Sequence, residues 1–81
     1  MNIQLIQGGF SPEDAVDLIS QMIQTKIKFH EGKIARHGSE EDIKYRESKI
    51  KRLQQELNDL RNSIYGKNGI VKLDAVIHIG E

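Results

Sequence analysis

The stretch Ala35-Arg36-His37-Gly38-Ser39-Glu40-Glu41-Asp42 (ARHGSEED) stops one helix and starts another. Gly38 suits the left-handed position just past a helix end. Ser39 can cap the next helix, because its hydroxyl accepts from a free N–H of the first turn. Glu40, Glu41 and Asp42 place negative charge at the positive end of the helix dipole. So short a break predicts two antiparallel helices folded on one another.

The flanking apolar pattern carries the same message. Before the break, Val16, Ile19, Ile23, Ile27 and Ile34 form one helical stripe. After it, Ile43, Ile50, Leu53, Leu57, Leu60 and Ile64 step by 7, 3, 4, 3 and 4, a heptad seam with Arg46 in the one anomalous slot. Facing positions of an antiparallel hairpin share a constant index sum. Ile34 with Ile43 and Ile27 with Ile50 give 77; Ile23 with Leu53, Ile19 with Leu57 and Val16 with Leu60 give 76. His30 falls opposite Arg46 and Glu47, a polar layer in an apolar seam. A bond from His30 to Glu47 would make the hairpin firmer with His30 charged.

Further out, Ser11-Pro12 starts the first helix, with Ser11 as cap and Pro12 at the first helical position. That helix is expected over 12–37 and the second over 40–65, where Gly66-Lys67-Asn68-Gly69 ends it. The first helix carries a second apolar stripe, Ala15, Leu18, Met22 and Phe29, so it wants two neighbours. Gly32 inside it costs about 1 kcal/mol relative to Ala. Residues 2–7 (NIQLIQ) and 70–79 (IVKLDAVIHI) have strand character, and Gly8-Gly9 is expected to end the first. Extending the index sum to these strands sets Leu5 opposite Val71 and Ile3 opposite Leu73, which leaves residues 76–79 without a partner strand.

The expected fold is therefore α+β in the order strand–helix–helix–strand. It is a long, coiled-coil-like antiparallel helical hairpin with a terminal antiparallel β-ribbon, in a single domain over 1–81. A two-stranded ribbon is marginal in water, and a chain of this length builds a thin core. An unpaired apolar strand end is also a template for association. A homodimer is the expectation, with the sheet extended by dimerisation and an interface on Val76, Ile77, Ile79, Leu18, Met22 and Phe29.

Composition bounds the function. The 81 residues hold 12 Lys+Arg, 12 Asp+Glu and no Cys. Zero net charge gives no bulk pull toward nucleic acid or anionic lipid. The absence of Cys excludes disulfides, zinc–thiolate sites and a cysteine nucleophile. No apolar run is long enough to cross a bilayer, and the N-terminus lacks the order of a signal peptide, so a cytoplasmic protein with no membrane partner is expected. Charge is nevertheless uneven. Residues 26–52 hold nine basic and five acidic residues, the remainder three and seven. A candidate basic partner surface on the second helix is Lys44, Tyr45, Lys49, Lys51 and Arg52.

Chemistry is poorly provided for. Ser11 and Ser39 are accounted for as caps, and no histidine is spaced to activate another serine. Gly8-Gly9 lacks the glycine spacing and Lys-Ser/Thr of a phosphate loop. His30 and His37 are two helical turns apart, about 10 Å, too far to share one metal ion. His78 is expected on the outer strand face, in solvent. No enzyme, metal or cofactor is expected. The preferred function is a small non-catalytic protein-interaction or scaffold module that acts as a homo-oligomer and meets a further protein partner. The alternative is a nucleic-acid-associated regulator using the basic stretch of the second helix.

Overall fold

A computed structural model describes residues 1–36, 38–64 and 66–80 of the chain. The elements run β1 (Asn2–Phe10), α1 (Pro12–Arg36), α2 (Glu40–Ile64) and β2 (Val71–His78). This is the expected strand–helix–helix–strand order and α+β class. The expected helix ends at His37 and Tyr65, and the spacing between His30 and His37, lie outside the described residues.

Both helices start as their sequences dictate. Asp14 N donates to Ser11 Oγ at 3.1 Å, and Asp42 N donates to Ser39 Oγ at 3.2 Å. Each hydroxyl satisfies one of the four N–H groups that a helix start leaves free. At the far end of α2, Lys67 N donates to Ile64 O at 3.0 Å, and Gly66 takes a φ of +82°.

The helical hairpin packs along the expected seam. Ile27 on α1 and Leu53, Leu57 and Ile64 on α2 are buried. Val16, Ile19, Ile23, Ile34, Ile43, Ile50 and Leu60 are half-buried around them. Arg46, in the anomalous slot, donates through Nη1 to His30 Nδ1 at 3.1 Å. That pair has the index sum of 76 that the apolar pairs imply. Arg46 Nε also donates to Asp42 Oδ2 at 3.3 Å. The partner of His30 is thus Arg46 rather than Glu47. A guanidinium only donates, so Nδ1 must accept and must carry no proton.

The ribbon departs from its expected register. Asn2 pairs with His78, Ile3 with Ile77 and Gln4 with Val76; Ile6 pairs with Ala75 and Phe10 with Val71. Ile79 N also donates to Met1 O at 2.7 Å. The C-terminal residues expected to be unpaired are therefore paired to the end of the ribbon. The reason lies in the connections. Ser11 alone joins β1 to α1, whereas residues 65–70 separate α2 from β2. That five-residue difference is the offset between the helical index sum of 76 and the sum of 81 that holds from Ile6–Ala75 to Phe10–Val71; beyond the bulge the sum is 80. β1 gains its extra length through Gly8 and Gly9, which pair with Leu73 and Lys72 instead of ending the strand. Gly8 does so at a φ of +142°, which a side chain would disfavour.

Leu5 has no partner, because the register shifts between Gln4 and Ile6. This β-bulge decides which residues share a face. Pairing and alternation put Ile3, Ile6, Phe10, Val71, Leu73, Ala75 and Ile77 on one side, with Ile79 continuing it. Without the bulge Ile3 and Ile6 would point to opposite sides. The other face is mostly polar. There Gln4 Nε2 donates to Asp74 Oδ1 at 2.7 Å, and His78 Nδ1 donates to Asn2 Oδ1 at 2.8 Å.

Among the described residues the ribbon packs on α1 and not on α2. Ala15, the most deeply buried residue, sits where β1 turns into α1. The molecule is consequently open and flat, with extents of 47 × 33 × 13 Å and a radius of gyration of 15.3 Å. A compact chain of this length would have about 12 Å.

Candidate functional site

Two surfaces hold the residues singled out in the sequence. The first is the apolar side of the ribbon together with the second stripe of α1. The ribbon covers the start of that stripe and then leaves it. Ala15 is fully buried and Leu18 half-buried, but Met22 is 39% and Phe29 57% exposed. On the ribbon, Ile3, Leu5, Ile77 and Ile79 are exposed too. An open cleft of about 340 Å³ lies between the two walls, lined by Leu5, Ile6, Leu18, Gln21, Met22 and Thr25.

Five of the six expected interface residues, Leu18, Met22, Phe29, Ile77 and Ile79, belong to these walls. Val76 does not. It pairs with Gln4 on the polar face, so one contact surface cannot hold it together with its neighbours. Ile3 and Leu5 were missed, and their signal was present. The adjacent apolar pair Leu5-Ile6 interrupts the alternation of β1 at the bulge.

The second surface, the basic one, divides. Lys49 and Arg52 border one groove of the hairpin, with Lys26, His30, Leu53 and Glu56. Lys44 and Lys51 border another, with Glu47, Ser48 and Ile50. Tyr45 is exposed, and the Lys49 ammonium stands 5.3 Å from its ring centre. Two of the cations are matched by acids one turn away. Lys44 Nζ lies 4.0 Å from Glu40 Oε1, and Arg52 Nε lies 3.5 Å from Glu56 Oε1. Exposed pairs of this kind contribute roughly 0–1 kcal/mol, but they do lower the free positive charge. The four cations make two half-neutralised rims rather than one basic face.

Among the described residues no group of three or more His, Cys, Asp or Glu is placed to hold a metal ion. Nor is any helix long and apolar enough to cross a membrane. Comparison with known proteins finds no matching family model, no matching curated protein and no matching solved structure.

Proposed function

We propose that the chain is a small non-catalytic interaction module that works as a homo-oligomer in the cytoplasm. One observation carries the reading. The chain exposes 6450 Å². A folded monomer of its 9.2 kDa mass would expose about 4,900 Å², an excess of about 1,500 Å². A stable interface takes roughly 800 Å² from each partner, and permanent assemblies take more. The excess is of the size that association removes, and part of it is apolar. Only Ala15, Ile27, Leu53, Leu57 and Ile64 are buried among the described residues, a thin core for 81 residues. Size-exclusion chromatography with light scattering tests the reading. A mass of two or more chains at micromolar concentration supports it; a single-chain mass rejects it.

Nucleic-acid binding keeps one point in its favour, the rim that brings Lys26, Lys49 and Arg52 together. A gel shift at low salt that disappears in Lys49→Glu/Arg52→Glu would replace the module reading with that one.

A further inference from the structure

The proposal that follows rests on the homo-oligomeric reading and specifies its contact. Ala15, Leu18, Met22, Thr25, Phe29 and Gly32 are spaced 3, 4, 3, 4 and 3 along α1, a continuous stripe on the side away from α2. Its first half meets the ribbon, and among the described residues Phe29 in its second half is 57% exposed. Gly32 sharpens the point. Glycine in a helix interior is destabilising, and a Cβ built at Gly32 has no atom within 4 Å. Nothing inside the chain therefore requires a missing side chain there. Close approach by another molecule would.

We propose that a second copy of this chain covers this face, with the two α1 helices antiparallel and related by a two-fold axis near Thr25. Facing positions then sum to 50 or 51. Met22 meets Phe29 of the partner subunit, and Leu18 meets the bare backbone at Gly32 of the partner subunit. Phe29 of each chain enters the other chain's cleft between Leu5 and Met22. The same register sets Asp14 against Arg36 of the partner subunit. An acid at the start of α1 thus meets a base at its end, twice by symmetry. A parallel pairing would put like charges together. The contact is isologous and closes on itself, as a two-fold dimer requires. It also brings the ribbon wall of one chain over the bare half-stripe of the other, which accounts for surface excess on both elements.

Sedimentation equilibrium on the full chain and on Phe29→Gln tests the face. Phe29 is exposed, so the helical circular dichroism of the variant should match wild type, while its dimer dissociation constant rises at least ~30-fold. Thr25→Cys tests the arrangement. The chain has no other Cys, so mild oxidation should yield a disulfide-linked dimer, and Asn58→Cys on exposed α2 should not. A monomeric wild type overturns both the module reading and this contact. A dimeric wild type with unchanged affinity in Phe29→Gln overturns the contact alone. Loss of affinity in Phe29→Gln without cross-linking of Thr25→Cys overturns the antiparallel arrangement.

Discussion

The two faces of α1 meet two different kinds of neighbour. Toward α2, a second helix of the same length runs alongside it, and Ile27, Leu53, Leu57 and Ile64 become buried. Toward the ribbon, contact is confined to the first turns, and Met22, Phe29, Ile3 and Ile77 stay open. The difference comes from geometry more than from hydrophobicity. Two helices rise 1.5 Å per residue each, so a matched periodicity keeps them in register over their length. A strand rises roughly 3.3 Å per residue, and a twisted ribbon follows a straight helix only briefly. One face is finished within the chain and the other is not.

The sharpest way to break this contrast is to truncate one side chain on each face. Leu57→Ala opens a cavity in the closed seam and should cost about 2–4 kcal/mol. Ile77→Ala removes a half-open side chain and should cost under about 1 kcal/mol. Urea unfolding followed by circular dichroism, at one fixed protein concentration, checks both, since association makes stability concentration-dependent. Equal losses would mean that the ribbon is as well packed as the hairpin. A second test targets the ribbon backbone. Gly8 holds a φ of +142° opposite Leu73, so Gly8→Ala should cost about 1–3 kcal/mol. The loss should fall on the ribbon first. Amide exchange in β1 and β2 should quicken while the protected amides of α1 and α2 persist.

The same geometry explains what could be read from the sequence. The hairpin was legible because its signals agree: a capped break at Gly38-Ser39, two apolar stripes, and one index sum linking them. Arg46 looked like a flaw in the heptad seam and proves to be half of the polar layer with His30. The order of the strands was legible as well, but their register was not. It depends on the unequal connections at Ser11 and residues 65–70 and on the bulge at Leu5, none of which is periodic. Reading Gly8-Gly9 as a stop was reasonable for local turn chemistry, yet pairing with β2 overrides it. The second, open stripe on α1 followed from the width of its apolar face. Val76 falls on the polar face, opposite to Ile77 and Ile79, because successive residues of a strand alternate whatever the register.

A smaller effect separates the two helix starts. Ser39→Ala removes the cap of α2 at the hairpin tip, where half-buried Ile43 is the nearest seam residue. Ser11→Ala removes the cap of α1 beside buried Ala15, where the ribbon joins. Each substitution should cost about 1 kcal/mol. The consequences differ in place. Loss of Ser39 should fray the tip and leave the ribbon protected, whereas loss of Ser11 should loosen the joint that anchors β1. Amide exchange at Asp14 and Asp42, whose N–H groups the caps accept, reads the two separately.

The smallest effect is a gain, and it compares two hydroxyls on α1. Thr25, exposed on the open side, donates to Gln21 O at 2.9 Å. Ser20, turned toward the flank where Asp17 and Arg61 lie, has its Oγ buried without a hydrogen-bond partner among the described residues. A buried hydroxyl that makes no bond carries its desolvation cost uncompensated, and serine is the poorer helix former. Ser20→Ala removes both penalties and leaves a gap of a single atom on a half-buried flank. The expected gain is about 0.5 kcal/mol in urea unfolding. Thr25→Ala should gain less, because its hydroxyl is already bonded to Gln21 O. A loss of stability in Ser20→Ala would mean that the hydroxyl has found a partner, and that the flank toward α2 is more tightly organised than the open stripe by polar contacts as well as apolar ones.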